Sequence, residues 1–297
     1  MMWDQAEKLR KMVVESVQEK PQSSVIKANH MKARVITVTS GKGGVGKTNF
    51  TVNLALALAK LGRKIVIIDA DLGMGNVDVV LGCSGTYNIL HLLEGGLSLQ
   101  DIITDGPLGI KFMSGGSGIH KLSNLTKLEL TRIINQITLL DDWAEIILID
   151  TGAGINQSVM NFVMAADEVI IVTTPEPTAI TDAYAVMKTF VHHRGTGIMK
   201  LVVNRVIDVN EGNVATAKLT KVALKFLGLS LISLGTINED SNLIRAVKKQ
   251  IPLLLAFPET ISARCIEQIA NRLLSIENTK KTGGIKGFFD NLVGLMR

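Results

Sequence analysis

VITVTSGKGGVGKT, residues 35–48, is the stretch around which the chain is organised. Val35 to Thr39 are mostly β-branched, the composition of a short buried strand, and Ser40 leads into a glycine-rich turn. Gly41, Lys42, Gly43, Gly44, Val45, Gly46, Lys47 and Thr48 match G-x-x-x-x-G-K-[ST], the phosphate-cradling loop. Glycines let backbone N–H groups converge on phosphate oxygens, and the helix that follows points its positive end at them. Lys47 is placed to reach the β- and γ-phosphates and the Thr48 hydroxyl to ligate Mg²⁺. The next residues, NFTVNLALALAKLG, predict an amphipathic helix ended by Gly62, so the motif has the strand–loop–helix context it requires.

Composition bounds what this motif can serve. The 297 residues, 46% hydrophobic, suffice for a large core, as one big α/β domain or two small ones. Cys83 and Cys265 lie far apart and match no metal spacing, which predicts a reduced, cytoplasmic protein. No apolar run reaches membrane-spanning length, and the N-terminus lacks the uninterrupted apolar core of a signal peptide. The net charge of +5 is uneven. Residues 1–34 hold seven Lys/Arg against four Asp/Glu, and residues 280–297 hold four against one, which leaves the middle near neutral. A near-neutral body argues against a nucleic-acid partner and directs attention to the ends.

Along the chain, residues 3–18 predict a short helix with Trp3, Ala6, Leu9, Met12, Val13, Val14 and Val17 on one broad face, followed by a polar linker. The pattern suits either a helix packed on its own domain or one that docks elsewhere. KIVIID predicts a strand with Asp69 and Asp71 at its carboxyl end, the edge where ligands sit in open α/β sheets. Residues one apart on extended backbone point to opposite sides, so the two carboxylates take different tasks. EIILID predicts a second buried strand ending at Asp150, the form of an acidic residue that holds Mg²⁺ through water. IKFMS, EVIIVTT, KLVVNR and ISLGTI add strands, and helices are predicted around 125–140, 181–194, 241–250 and 262–274. About seven strands alternating with helices predict a three-layer α/β fold with a mostly parallel sheet. In the tail, Ile285, Phe288, Phe289, Leu292, Leu295 and Met296 share one helical face, behind a flexible joint at Gly283 and Gly284. That face suits a membrane surface or a docking site on the body equally.

Lys42 carries the next inference. A second lysine at the loop's second position is not demanded by the general pattern, and its side chain leaves the cradle. KGGVGKT, Lys42 to Thr48, resembles the KGGxGK[ST] loop of the MinD/ParA family of deviant Walker-A ATPases, over roughly residues 34–276. The resemblance implies a P-loop NTPase fold, ATP as substrate and ADP as product, Mg²⁺, and a homodimer in which Lys42 crosses to the partner's nucleotide. It further implies that Asp71 polarises the attacking water, that Asp69 supports the metal shell, and that Asn204 recognises adenine. Asn49 and Arg205 complete the implied nucleotide-binding set. TGAG after Asp150 departs from the family's Asp-x-Pro-Ala-Gly form, which puts the switch geometry in question.

DQAEKLR, residues 4–10, resembles the DQAxxLR motif of the family's flagellar-number regulators of FlhG type. That implies an activator helix at 1–20, a linker at 21–33, and stimulation of an FlhF-type signal-recognition GTPase through Gln5, Leu9 and Arg10. Flagellar basal-body proteins are a further class of partner. MinD-type members end in a membrane-targeting helix, so the resemblance assigns 277–297 to an anionic membrane surface and places the protein peripherally on the inner face of the cell membrane. A MinD-type division-site regulator is the alternative, against which the N-terminal motif speaks. A ParA-type DNA partitioner fits the near-neutral body less well.

Overall fold

The computed structural model describes residues 32–71, 75–93, 96–114, 122, 125–276 and 283–296. The expectations for residues 1–31, with Gln5, Leu9 and Arg10, lie outside the described residues, as does Gly73 in the loop after Asp71. The strands are β1 (Arg34–Ser40), β2 (Ile65–Ala70), β3 (Thr104–Asp105), β4 (Lys111–Ser114), β5 (Ile146–Ala153), β6 (Glu168–Thr173), β7 (Ile198–Val206) and β8 (Ile232–Asn238). The helices are α1 (Lys47–Lys60), α2 (Val77–Leu81), α3 (Leu99–Ile102), α4 (Lys127–Thr138), α5 (Gln157–Ala165), α6 (Pro177–His192), α7 (Val209–Leu227), α8 (Ser241–Lys248), α9 (Leu253–Ala256), α10 (Ile261–Ser275) and α11 (Gly284–Met296).

These strands form one sheet in the order β3-β4-β2-β5-β1-β6-β7-β8. Among the described residues, only the β3–β4 pair is antiparallel. The seven predicted strands are present, and β3 adds a two-residue edge. β1, β2 and β6 are buried along nearly their whole length, as parallel strands covered on both faces must be. One face is covered by α1, α2, α8, α9 and α10, and the other by α4, α5, α6, α7 and α11. The carboxyl ends of β1, β2, β5, β6 and β7 converge on one edge, which is where the loop at 41–48 sits.

Two helical expectations change. α1 is not amphipathic: Phe50 to Leu58 are all buried, because the helix is wedged between the sheet and α10. α7, 19 residues long, was not anticipated, although its ends are marked. The Asp208 side chain accepts the Glu211 N–H at 2.9 Å, and Gly228 closes the helix with φ of 62°.

The tail packs on the body. Residues 284–296 belong to the same compact unit as the rest of the body and do not hang free of it. α11 lies in the slot between α4 and α5, over β1. Ile285, Phe288, Phe289 and Leu292 are buried in the core. Phe288 stacks on Phe162 of α5, with centroids 6.3 Å apart and planes at 27°. Four of the six residues assigned to a membrane therefore fill a gap in the helical layer, where apolar surface would otherwise face water. Leu295 remains 40% exposed, and Met296 packs against the core's edge. Among the described residues, no helix is long and apolar enough to cross a membrane.

Candidate active site

The phosphate loop is shaped by what surrounds it. A Cβ at Gly41 would stand 2.3 Å from the Asp182 carbonyl, so the loop rests directly on the backbone of α6. Gly46 has φ of 89°, and a Cβ there would meet the Asn204 side chain at 2.5 Å. Only glycine combines that backbone with that approach. Gly46 is also the N-cap of α1 and brings no side chain to bond the first N–H groups of the helix. Those groups face the cleft, the arrangement that binds anions.

The charged side chains converge beneath this loop. Asp150, at the end of the buried run of β5, is the hub. Lys47 Nζ lies 3.0 Å from Asp150 Oδ2, the Thr48 hydroxyl donates to the same oxygen at 2.7 Å, and the Thr51 hydroxyl donates to Oδ1 at 2.8 Å. Thr51 escaped the sequence reading. Its signal was its place one turn after Thr48 on the same helix face. The hydroxyl of Thr48 and the carboxylate of Asp150 are oxygen donors of the kind that suits Mg²⁺.

Asp69 and Asp71 stand in different surroundings, one at the end of β2 and one just beyond it. Both Asp69 oxygens are taken by backbone, from Asp71 N–H at 3.0 Å and Val77 N–H at 3.1 Å. Burial pushes its carboxyl up to about 6, against those two N–H donors. Asp69 therefore shapes the β2–α2 loop, and any part in the metal shell is indirect. Asp71 lines a cleft of about 320 Å³ with Gly43 to Asn49, Asn76, Val79 and Val247. It also borders a second cavity of about 270 Å³ beside Gly152, Asn156 and Phe162.

Lys42 points away from this cradle. Its Nζ bonds Glu176 Oε2 at 3.0 Å and the Thr178 hydroxyl at 3.0 Å, both at the start of α6. Neither partner was foreseen, since they lie more than 130 residues away in sequence. The buried Asn204 amide donates to the Val45 carbonyl at 2.8 Å, and its oxygen accepts its neighbour's N–H at 2.9 Å. That leaves one amide hydrogen and one lone pair for a base. Arg205 has φ of 58° and its guanidinium is held by Glu239 at 3.0 and 3.3 Å, which raises it further above its ordinary range. Asn49 lines the cleft beside Asp71 and also borders, with Gly46, a smaller pocket that Asn204 lines.

A family model described as ParA, an NUBPL iron-transfer P-loop NTPase, matches residues 31–274. Antiactivator FleN of Pseudomonas aeruginosa is 40% identical over 81% of this chain and 86% of its own length. Flagellum site-determining protein YlxH of Helicobacter pylori is 38% identical over 89% of this chain and 91% of its own. Among solved structures, MinD in the MinC:MinD complex of Aquifex aeolicus superposes with a TM-score of 0.66 at 28% identity, over 84% of this chain and 100% of that one. MinD of Pyrococcus horikoshii complexed with Mg-ADP gives 0.65 at 26% identity, over 84% and 100%. With its phosphate loop, rim lysine and Asp150 hub set in this sheet, the chain belongs to the ParA/MinD family of P-loop NTPases.

Proposed function

We propose that this chain is an ATP-dependent dimerisation switch with slow Mg²⁺-dependent ATPase activity that regulates flagellar number or placement. The observation that carries the reading is the position of Lys42. Lys47 already serves the cradle, whereas Lys42 stands on its rim, bonded to Glu176 and Thr178. A cation there is placed to reach a phosphate bound by an identical subunit across a two-fold axis.

ATP lies with its phosphates over the first turn of α1, where the N–H groups of residues 43–48 receive them and Lys47 turns to them from Asp150. Mg²⁺, held by Thr48 and through water by Asp150, would neutralise charge on the phosphate oxygens. Asp71 orients the attacking water, Asn204 and Arg205 border the base, and departure of phosphate lets the two subunits part. Light scattering tests this. With Mg-ATP, Asp71→Ala accumulates as a dimer without turnover, and Lys42→Ala stays monomeric. A monomeric Asp71→Ala at saturating ATP contradicts the reading.

The tail belongs to the same cycle. Ile285, Phe288, Phe289 and Leu292 are buried against the body, and burying each is worth about 1.5–3 kcal/mol wherever it happens. Moving them into lipid is therefore close to neutral. Four basic residues from Lys280 onward add about 1 kcal/mol each near an anionic surface. A dimer brings two tails and so gains from effective concentration. The similarity to FleN and YlxH supports the flagellar output over the septum-site output of MinD relatives, which reach 36% identity. The stimulated partner is an FlhF-type GTPase, engaged through residues 1–20.

A further inference from the structure

α11 is held at its first turn as well as along its apolar face. Gly283 N–H donates to an Asp167 carboxylate oxygen at 3.1 Å, and Ile285 N–H donates to Asp141 Oδ1 at 3.1 Å. Two carboxylates of the body thus face the positive end of this helix, where negative charge is favoured. Gly284 makes the approach possible. Its φ is 70°, and a Cβ there would stand 2.6 Å from an Asp141 oxygen.

The same junction holds the other end of the chain. Ala33 N–H donates to Asp141 Oδ1 at 3.3 Å, and Lys32 Nζ donates to the Gly283 carbonyl at 3.3 Å. Lys32 and Ala33 are the first body residues after 1–31. The place where the N-terminal segment joins the body and the place where α11 begins are therefore one hydrogen-bonded cluster, although Lys32 and Gly283 are 251 residues apart. β1 starts at Arg34 and lies under α11, so a displacement of Lys32 and Ala33 reaches the helix directly.

We infer that Asp141 couples the two ends of the chain: drawing Lys32 and Ala33 away from the body weakens the hold on α11 and raises the population of released helix. By linkage, release of α11 loosens the N-terminal junction to the same degree. The inference rests on the reading that residues 1–20 capture a partner and α11 binds anionic lipid, and it makes the first event promote the second.

Hydrogen exchange of the full-length chain, followed by mass spectrometry over residues 285–292, tests the coupling without partner or lipid. Lys32→Ala removes the hydrogen bond to the Gly283 carbonyl and a positive charge beside Asp141, and raises exchange there about two- to five-fold. Asp141→Asn leaves the first turn facing an amide and raises it about ten-fold or more. The double variant exchanges no faster than Asp141→Asn, because both changes act through one junction. Lys32 is exposed, so its substitution remains a test even if Asp141→Asn fails to fold. Wild-type exchange in Lys32→Ala, or independent multiplication of the two effects, overturns the coupling. Sedimentation of the same variants with phosphatidylglycerol–phosphatidylcholine vesicles separates it from the lipid reading. Faster exchange without added pelleting upholds the coupling and removes the lipid role, whereas unchanged exchange removes the coupling whatever the vesicles show.

Discussion

Replacing Phe289 by alanine distinguishes a helix that completes the core from a tail that merely rests on it. Phe289 is 1% exposed, and its ring meets Phe288 edge-on at 5.5 Å. Phe288 in turn stacks on Phe162, which borders the cavity beside Asp71. Truncating such a residue costs about 3–5 kcal/mol if the cavity persists. The helix can also leave as a unit, which caps the cost at its docking free energy. Equilibrium urea unfolding of the full chain reads the difference. Phe289→Ala lowers the midpoint by an amount equivalent to about 3 kcal/mol or more, while Leu295→Ala, at a position 40% exposed, changes it by less than about 1 kcal/mol. Equal effects of the two substitutions would refute the account of α11 as a member of the helical layer.

Glu168 opens β6, between β1 and β7, where it pairs with Arg34 at 2.8 Å and with the buried Lys200. Burial pushes its carboxyl up, but Arg34 and Lys200 outweigh that and hold it below its ordinary range. Glu168→Gln strands the Lys200 charge and costs about 3–5 kcal/mol at neutral pH. A folded-state value that is lowered gives stability present above the ordinary glutamate range and lost as pH falls through the folded value. Thermal unfolding therefore shows the gap from wild type shrinking in acid, and a gap independent of pH refutes the assignment. At the N-terminus, a synthetic peptide of residues 1–20 raises the GTPase rate of the FlhF-type partner, and Gln5→Ala reduces that gain because a glutamine orients water well. An unchanged rate at saturating peptide refutes the assignment.

The central strands were legible because β-branched runs at 35–39, 65–68, 146–149 and 168–173 are buried on both faces and read as such from composition. The phosphate loop was legible because its glycines and Lys47 are adjacent in sequence. Glu176, Thr178 and Thr51 were not, since their roles come from the packing of α6 and α1 against the sheet edge. The tail shows the limit most plainly. An amphipathic face records that apolar side chains must be buried and leaves open whether lipid or the slot between α4 and α5 receives them. The two backbone N–H groups that Asp69 receives, from Asp71 and Val77, were not legible either, since they depend on how the chain turns after β2.

The claim that Lys42 acts across a dimer is tested most directly by mixing two inactive variants. In a mixed dimer, the site of the Lys42→Ala subunit keeps its own Asp71 and receives Lys42 from the Asp71→Ala subunit. The other site lacks both. Steady-state phosphate release is measured for each variant alone and for the equimolar mixture. The account predicts negligible turnover for each alone and turnover in the mixture well above either component, since each mixed dimer has one complete site of two. A mixture as inactive as its components would contradict it.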